Sequence, residues 1–192
     1  MTDGRFLLLK SFGIDDDPSP EQVKDIRRGE VLRATKILGV PEKNVIFLDF
    51  VDGTLKENEE AAEEKVTEIL EKYMPYEVYF PFERDAHPDH QAANRIVRRA
   101  VEKLSIKPMM YRYTIMHKAS RFGPLMEFLA SIFKRDRIYV DVSEFLPLKR
   151  EAVKEFKSEL TTISLKQSKP HTKDFKRFLK NKETFYIDKS SN

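Results

Sequence analysis

The sequence contains no cysteine, which excludes disulfide bridges, thiolate nucleophiles and cysteine-based zinc or iron–sulfur sites. Any transition metal would have to be bound by histidine, aspartate or glutamate side chains. The chain also lacks an apolar run of membrane-spanning length, and its first residues show no basic segment followed by an apolar one. We therefore expect a cytoplasmic protein.

No single sign of charge dominates, because 35 Lys and Arg residues stand against 32 Asp and Glu residues, with a net charge of +3. This near balance gives no indication of a nucleic-acid partner. Only 6 glycines and 10 prolines are present, which excludes a collagen-like or low-complexity protein. A chain of 192 residues that is 40% hydrophobic and 35% charged predicts a single globular domain over residues 1–192.

Hydrophobic periodicity alternates between helical and strand patterns along the chain. Strands that alternate with helices predict an α/β fold, a Rossmann-like open sheet that is mostly parallel, with helices on both faces. Val45–Phe50 is nearly all apolar and predicts a central parallel strand that is buried on both faces. The other predicted elements are helices at 20–38, 62–73, 88–104 and 147–157 and strands at 78–82, 109–116, 138–142 and 184–187.

The most informative segment is the loop between the predicted strand 78–82 and the helix that begins at Pro88. His87 is the expected N-cap of that helix, and His90 continues the helix's buried stripe on its first turn. Asp89 could accept a hydrogen bond from an imidazole N–H and fix its tautomer. Ligands of α/β sheets bind at such corners, which favours metal or catalytic use. The alternative is that one histidine caps the helix, the other packs, and Asp89 compensates the helix dipole.

Charged residues on the inward face of the first predicted helix form a second candidate set. Arg27 and Glu30 must either form structural ion pairs or line a substrate cavity. Asp52 follows a predicted strand and is either a turn former or a site residue. The run Asp15–Asp17 is interpreted as a solvated loop, and His117 and His171, which have no acidic or histidine partner at a useful spacing, as surface or strand-end residues.

The segment Phe122–Phe133 has almost no polar face, but it is too short to span a bilayer. We expect a buried or dimer-forming helix, and thus a homo-oligomer as one outcome. A lid over the site or contact with a membrane surface is the less favoured alternative.

Short motifs over nearly the whole chain share a pattern with one enzyme family. They resemble the LmbE/PIG-L family of zinc-dependent N-acetylglucosaminide deacetylases. The matching motifs are Thr2-Asp3-Gly4, Arg27-x-x-Glu30 with Leu38-Gly39-Val40, Phe47-Leu48 with Asp52-Gly53, Asp85-x-His87-Pro88-Asp89-His90, Val140-Asp141-Val142-Ser143 with Lys149, and Glu183-x-Phe185-Tyr186.

The resemblance implies an N-acetylated amino-sugar substrate and Zn²⁺ or another divalent metal. It assigns His90 as a metal ligand, His87 as the group that polarises the amide carbonyl or protonates the leaving amine, and Asp89 as the residue that orients His87. It also implies that Arg27 and Asp52 contact the sugar.

This sequence departs from the family at its beginning and near its end. Family members open with a strand ending in A-H-P-D-D-E, which supplies two metal ligands and the general base, and no such segment occurs here. Where Ser-Gln is common in the family, this chain has Ser158-Glu159. We therefore expect an N-terminally incomplete domain that retains metal poorly and is at best weakly active. The alternative is a non-catalytic remnant that binds a sugar or a protein partner.

The absence of the first family strands also predicts how the sheet is rearranged. Apolar strands cannot face water cheaply, since exposing each Val, Ile, Leu or Phe side chain costs roughly 1.5–3 kcal/mol. We therefore expect Val45–Phe50 to pair with Val78–Phe82, or the chain to self-associate through an open strand edge.

Overall fold

The computed structural model describes residues 1–115, 137–172 and 178–188. Two sequence-based predictions, the apolar helix Phe122–Phe133 and the surface position of His117, lie outside these residues. The chain divides into two compact units, one formed by Met1–Asp52 with Asp141–Lys182 and the other by Gly53–Val140 with Glu183–Asn192. In the described part of the chain, no helix is both long and apolar enough to cross a membrane.

The predicted helices and strands within the described residues occur close to their predicted positions, with one exception described below, and the short helices at Leu7–Phe12 and Lys157–Leu160 were not predicted. In chain order they are α1 (Leu7–Phe12), α2 (Pro20–Ile37), α3 (Glu59–Tyr73), β1 (Glu77–Pro81), α4 (Pro88–Lys103), β2 (Met109–Tyr113), β3 (Arg137–Asp141), α5 (Leu146–Lys154), α6 (Lys157–Leu160) and β4 (Lys182–Ile187). Short 3₁₀ turns lie at Glu42–Asn44, Leu55–Asn58 and Ser143–Phe145.

The first unit is built around helix α2, which packs against α1, α5 and α6. α2 begins at Pro20 because Ser19 and Gln22 form a capping box, in which each side chain accepts a hydrogen bond from the other residue's backbone N–H. Leu8, Ile14 and Val23 form a buried cluster in this unit. The local capping signal therefore determines where the central helix starts.

The predicted central strand Val45–Phe50 does not form. Within it only Phe50 makes a bridge, an isolated parallel one to Thr2, and Ile46 is 47% exposed. Asp49 has a φ of 55°, a left-handed conformation that interrupts an extended strand just before the bridge. The apolar composition is compatible with a strand, but a ladder needs a partner along its whole length, and Thr2 supplies one position only.

The second unit contains a four-stranded sheet in the order β1-β2-β4-β3. β1 is parallel to β2, with Tyr79 opposite Tyr111, whereas β2 is antiparallel to β4, with Tyr111 opposite Ile187. The predicted α/β fold is confirmed, but the sheet is mixed rather than mostly parallel. β1 lies at an edge of the described sheet, and Tyr79 is 49% exposed. The described sheet includes no part of 45–50, so the pairing expected between 45–50 and 78–82 is also wrong.

Helix α4 fixes the segment that follows β1. Its apolar stripe packs against α3 and β1, and Pro88 occupies its first turn. The buried residues of α4 are Asp89, Ala92, Ala93, Asn94, Ile96, Val97, Ala100 and Val101. The first turn of α4 therefore lies next to the carboxyl end of β1.

Candidate functional site

The loop between β1 and α4, called the corner here (residues 82–90), begins with a tight turn in which Asp85 N–H donates to the Phe82 carbonyl at 3.0 Å. His87 is the N-cap of α4, as predicted, and its ring Nδ1 accepts a hydrogen bond from the Asp89 backbone N–H at 3.2 Å. Capping therefore occupies one of the two ring nitrogens of His87.

Asp85 is the carboxylate that contacts His90. Its Oδ1 lies 2.8 Å from His90 Nδ1 and also accepts from the His87 backbone N–H at 3.2 Å. Its Oδ2 accepts from the Ile115 backbone N–H at 2.8 Å. The Asp85 side chain is 0% exposed, whereas that of His90 is 24% exposed. The corner therefore joins a buried acid to a solvent-accessible imidazole.

Asp89 has different partners from those predicted. Its Oδ2 accepts from Gly53 N–H at 2.7 Å and its Oδ1 from Leu55 N–H at 3.3 Å. It reaches His87 through its backbone N–H, so in this structure its carboxylate holds the 53–55 loop. Its proposed role in orienting His87 stays a prediction.

The two imidazole rings lie close together, with centroids 4.8 Å apart and planes inclined by 37°. Among the residues that the structure describes, no group of three or more His, Asp or Glu side chains could hold a metal ion. A catalytic zinc normally has three protein ligands and one open position. The described side chains therefore do not make a complete metal site, although His90 has a buried carboxylate on one ring nitrogen, as metal-binding histidines commonly do.

Tyr113, at the end of β2, is also influenced by the corner. Burial raises the pKa of its hydroxyl, and the nearby Asp85 carboxylate raises it further. Sequence reasoning gave no role to Tyr113 or Asp85. Asp85 carried a detectable signal, as an acid in a strand-to-helix loop five residues before His90, whereas Tyr113 carried none.

In the first unit, Glu30 is 1% exposed and bonds to the start of α6. Its two carboxylate oxygens accept from the Ser158 backbone N–H and from the Ser158 hydroxyl, both at 2.7 Å. Arg27 Nη1 donates to Glu159 at 2.9 Å and to Ser158 Oγ at 3.3 Å. The two predicted alternatives for Arg27 were a structural ion pair and a position lining a substrate cavity. The structure contains an ion pair, with Glu159 as the partner.

Glu159 connects Arg27 to His171. Burial would raise the pKa of Glu159, but the His171 hydrogen bond and the Arg27 charge outweigh it and hold this pKa at about 2. His171 is exposed, as predicted, and its Nδ1 lies 2.7 Å from Glu159 Oε2, a partner 12 residues away. Sequence spacing could not reveal the pair, because a loop brings the two side chains together.

Asp52 is also paired in the first unit. Its carboxylate accepts from Lys10 Nζ at 2.9 Å, and its backbone N–H donates to Asp3 Oδ1 at 3.3 Å. Burial raises the pKa of Asp3, but the hydrogen bonds and charge of Arg5 bring it below its ordinary value. Asp52 is therefore a member of a charged network, and its contact with a sugar stays a prediction.

Gly4, next to Asp3, makes close contact with Arg27. Gly4 has a φ of +66°, and a Cβ at this position would lie 2.5 Å from Arg27 Nε. The Asp15–Asp17 run is exposed and Asp16 pairs with Lys166, which is consistent with a solvated loop.

These features define an α/β protein with a histidine-bearing candidate site at the carboxyl end of a strand. The PIG-L family model, described as GlcNAc-PI de-N-acetylase, matches residues 6–101, which is half of the 192-residue chain. The chain therefore belongs to the PIG-L family. All five predicted site residues lie within the matched range: Arg27, Asp52, His87, Asp89 and His90.

Solved structures share the fold at low sequence identity. N,N'-diacetylchitobiose deacetylase from Pyrococcus horikoshii matches with a TM-score of 0.66 and 20% identity over 98% of this chain and 70% of its own. A conserved protein from Thermus thermophilus matches with a TM-score of 0.58 and 20% identity over 99% and 88%. The 4-carboxy-2-hydroxymuconate hydratase from Pseudomonas putida KT2440 matches with a TM-score of 0.55 and 17% identity over 80% and 62%. Since a deacetylase and a hydratase share this fold, the fold alone does not specify the reaction.

Proposed function

We propose that this chain is an N-deacetylase of the PIG-L type, which hydrolyses the acetamide of an N-acetylglucosamine-containing substrate. The observation that carries the proposal is the family match over 6–101, because it includes the corner with His87, Asp89 and His90. One protein of known structure with a similar fold is N,N'-diacetylchitobiose deacetylase, which is consistent with this substrate class.

The corner supplies groups suited to amide hydrolysis. The reaction needs a donor at the developing oxyanion and a proton for the leaving amine, and an imidazole can provide both. His87 is fixed by the cap through Nδ1, which leaves Nε2 for the substrate. Asp89 anchors the 53–55 loop against the first turn of α4 and thereby supports the position of His87.

In the first unit, Arg27 and Asp52 are the proposed sugar contacts. Arg27 uses Nη1 for both of its described bonds, and a guanidinium has five N–H donors, so further donors can serve hydroxyl groups. Asp52 shares its carboxylate with the half-exposed Lys10. A carboxylate has about four acceptor positions, so a sugar hydroxyl can bind beside the lysine.

In PIG-L-type chemistry a divalent metal activates the attacking water, and His90 is the residue proposed to bind it. The described residues do not complete such a site. We expect the 192-residue chain to retain zinc weakly and to show at most residual turnover. The same incomplete donor set favours the alternative, a non-catalytic protein that binds the sugar.

Two measurements on the 192-residue chain separate these functions. Ligand-observed NMR should detect binding of N-acetylglucosamine or N,N'-diacetylchitobiose and weaker binding of glucosamine. Long incubations at high protein concentration with added zinc should release a small amount of acetate. Binding without any acetate would support the non-catalytic alternative, absence of binding would exclude both functions, and rapid turnover would show that the donor set is complete.

A further inference from the structure

The two histidines of the corner use the same ring nitrogen, Nδ1, for opposite kinds of hydrogen bond. His87 Nδ1 faces the backbone N–H of Asp89, so it must act as an acceptor. His90 Nδ1 lies 2.8 Å from Asp85 Oδ1, and an ionised carboxylate can only accept, so this geometry places the proton on His90 Nδ1. When both rings are neutral, His87 therefore carries its proton on Nε2, whereas His90 has a lone pair there.

We propose that Asp85 is a positioning residue that fixes His90 in the Nδ1–H tautomer, so that the two neighbouring rings offer opposite functions. His87 offers an N–H donor, and His90 offers a lone pair that can bind a metal or accept a proton. Asp85 acts through His90 and touches no reacting atom itself.

Asp85 is suited to this role because its carboxylate cannot easily turn away. The side chain is 0% exposed, and its two oxygens are held by backbone N–H groups from different elements. Oδ1 accepts from His87 N–H at 3.2 Å, and Oδ2 accepts from Ile115 N–H, after β2, at 2.8 Å. These donors compensate the loss of hydration and fix the direction of the oxygen that faces His90.

The tautomers of His87 and His90 determine which ring can donate a proton and which can accept one. If His90 carried its proton on Nε2, both rings would present donors and neither would have a free lone pair. This use rests on the proposed function, but the tautomers themselves do not depend on it.

The first test is an NMR experiment on the metal-free, ¹⁵N-histidine-labelled chain at a pH where imidazoles are neutral. Imidazole ¹⁵N shifts and their couplings to ring protons distinguish the two tautomers, and spectra of His87→Ala and His90→Ala assign the signals. We expect Nε2–H on His87 and Nδ1–H on His90. Finding the same tautomer on both rings, or the reverse pattern, would overturn the proposal.

The second test removes the carboxylate. In Asp85→Ala, we expect His90 to lose its preference and populate Nε2–H, while His87 keeps its pattern. The matched control is Glu83→Gln. Glu83 lies two residues before Asp85, and its carboxylate pairs with Arg112 and is 38% exposed. It should leave both rings unchanged. A folded Asp85→Ala in which His90 keeps a pure Nδ1–H pattern would show that another group fixes the ring.

Circular dichroism and thermal unfolding report whether Asp85→Ala folds. If it does not, Asp85→Asn decides, because one amide oxygen cannot serve both Ile115 N–H and His90 Nδ1–H. A mixture of His90 tautomers is expected there, and an unchanged pattern would overturn the role of Asp85. Opposite tautomers without acetate release would reject the proposed function alone, whereas acetate release with identical tautomers would reject this inference alone.

Discussion

Each unit of the molecule contains a carboxylate that is almost completely removed from water, Glu30 on α2 and Asp85 after β1. Glu30 is satisfied by the N–H and hydroxyl of Ser158, groups that do not titrate in the ordinary range. Asp85 is held by two backbone N–H groups and by the imidazole of His90. Burial of a carboxylate is therefore not by itself a sign of a functional site. The difference is that Asp85 also contacts the imidazole of His90, whose second nitrogen, Nε2, faces away from Asp85 and can bind a metal or accept a proton.

The largest expected effects concern the corner itself. If the proposed function holds, His87→Ala should bring the residual acetate release below detection, because loss of an oxyanion donor or general acid typically lowers a rate by about a hundredfold to ten-thousandfold. His90→Ala should instead lower the zinc bound per chain in equilibrium dialysis, while His87→Ala leaves it unchanged. Lys103→Ala, at the exposed end of α4, is the control for both measurements. Zinc loss in His87→Ala with retention in His90→Ala would reverse the two roles.

The second effect concerns the other buried carboxylate. Glu30→Ala leaves Ser158 N–H and its hydroxyl without their acceptor, so we expect a loss of about 3 kcal/mol in the free energy of unfolding. Urea unfolding measures it, with Glu151→Ala as an exposed control that should cost less than ~0.5 kcal/mol. The variant should not change the tautomer of His90, and a change would contradict the contrast between the two carboxylates.

Much of the helical structure could be predicted from local signals, and the reason is physical. The capping box at Ser19 and the proline after His87 determine helix starts within a few residues of chain. The prediction of a strand at Val45–Phe50 was wrong because strand formation depends on a partner strand, which local composition does not encode.

The candidate site shows the same limit. The capping position of His87 was predictable from the sequence, but the role of Asp85 was not, because it depends on Ile115, 30 residues further along. Likewise, the partner of Arg27 is 132 residues away. Hydrogen bonds of this range are determined by the tertiary fold rather than by motif spacing.

Low pH should reduce the free energy of unfolding of the first unit, because it protonates the Glu159 carboxylate. Because its pKa in the folded state is about 2, below its ordinary value of 4.5, its contribution to stability is present above about pH 4.5 and disappears as the pH falls towards about 2. We expect a loss of roughly 2 kcal/mol over this window. Urea unfolding across the window should show a smaller loss in Glu159→Gln than in the parent chain. An equal loss in both would mean that other carboxylates control acid stability.

The smallest expected effect tests the close approach of Arg27 to Gly4. Gly4→Ala introduces a Cβ 2.5 Å from Arg27 Nε, whereas Gly13→Ala, with a similar φ of +71°, meets nothing within 4 Å. Both variants incur the cost of a left-handed alanine, about 1–2 kcal/mol. Gly4→Ala should therefore be less stable than Gly13→Ala by roughly a further 1 kcal/mol. Equal stabilities would show that Arg27 moves aside without cost.

In the sheet formed by the described residues, β1 is an edge strand, and this position affects the behaviour of the protein in concentrated solution. An edge strand offers unpaired backbone groups that can recruit another chain. Here the ends of the strand limit that recruitment, because Glu77 at its start is exposed and charged, and Pro81 at its end has no N–H to donate. Only Val78–Phe80 remains between them. Association along this edge should therefore be limited to a ladder of about three residues.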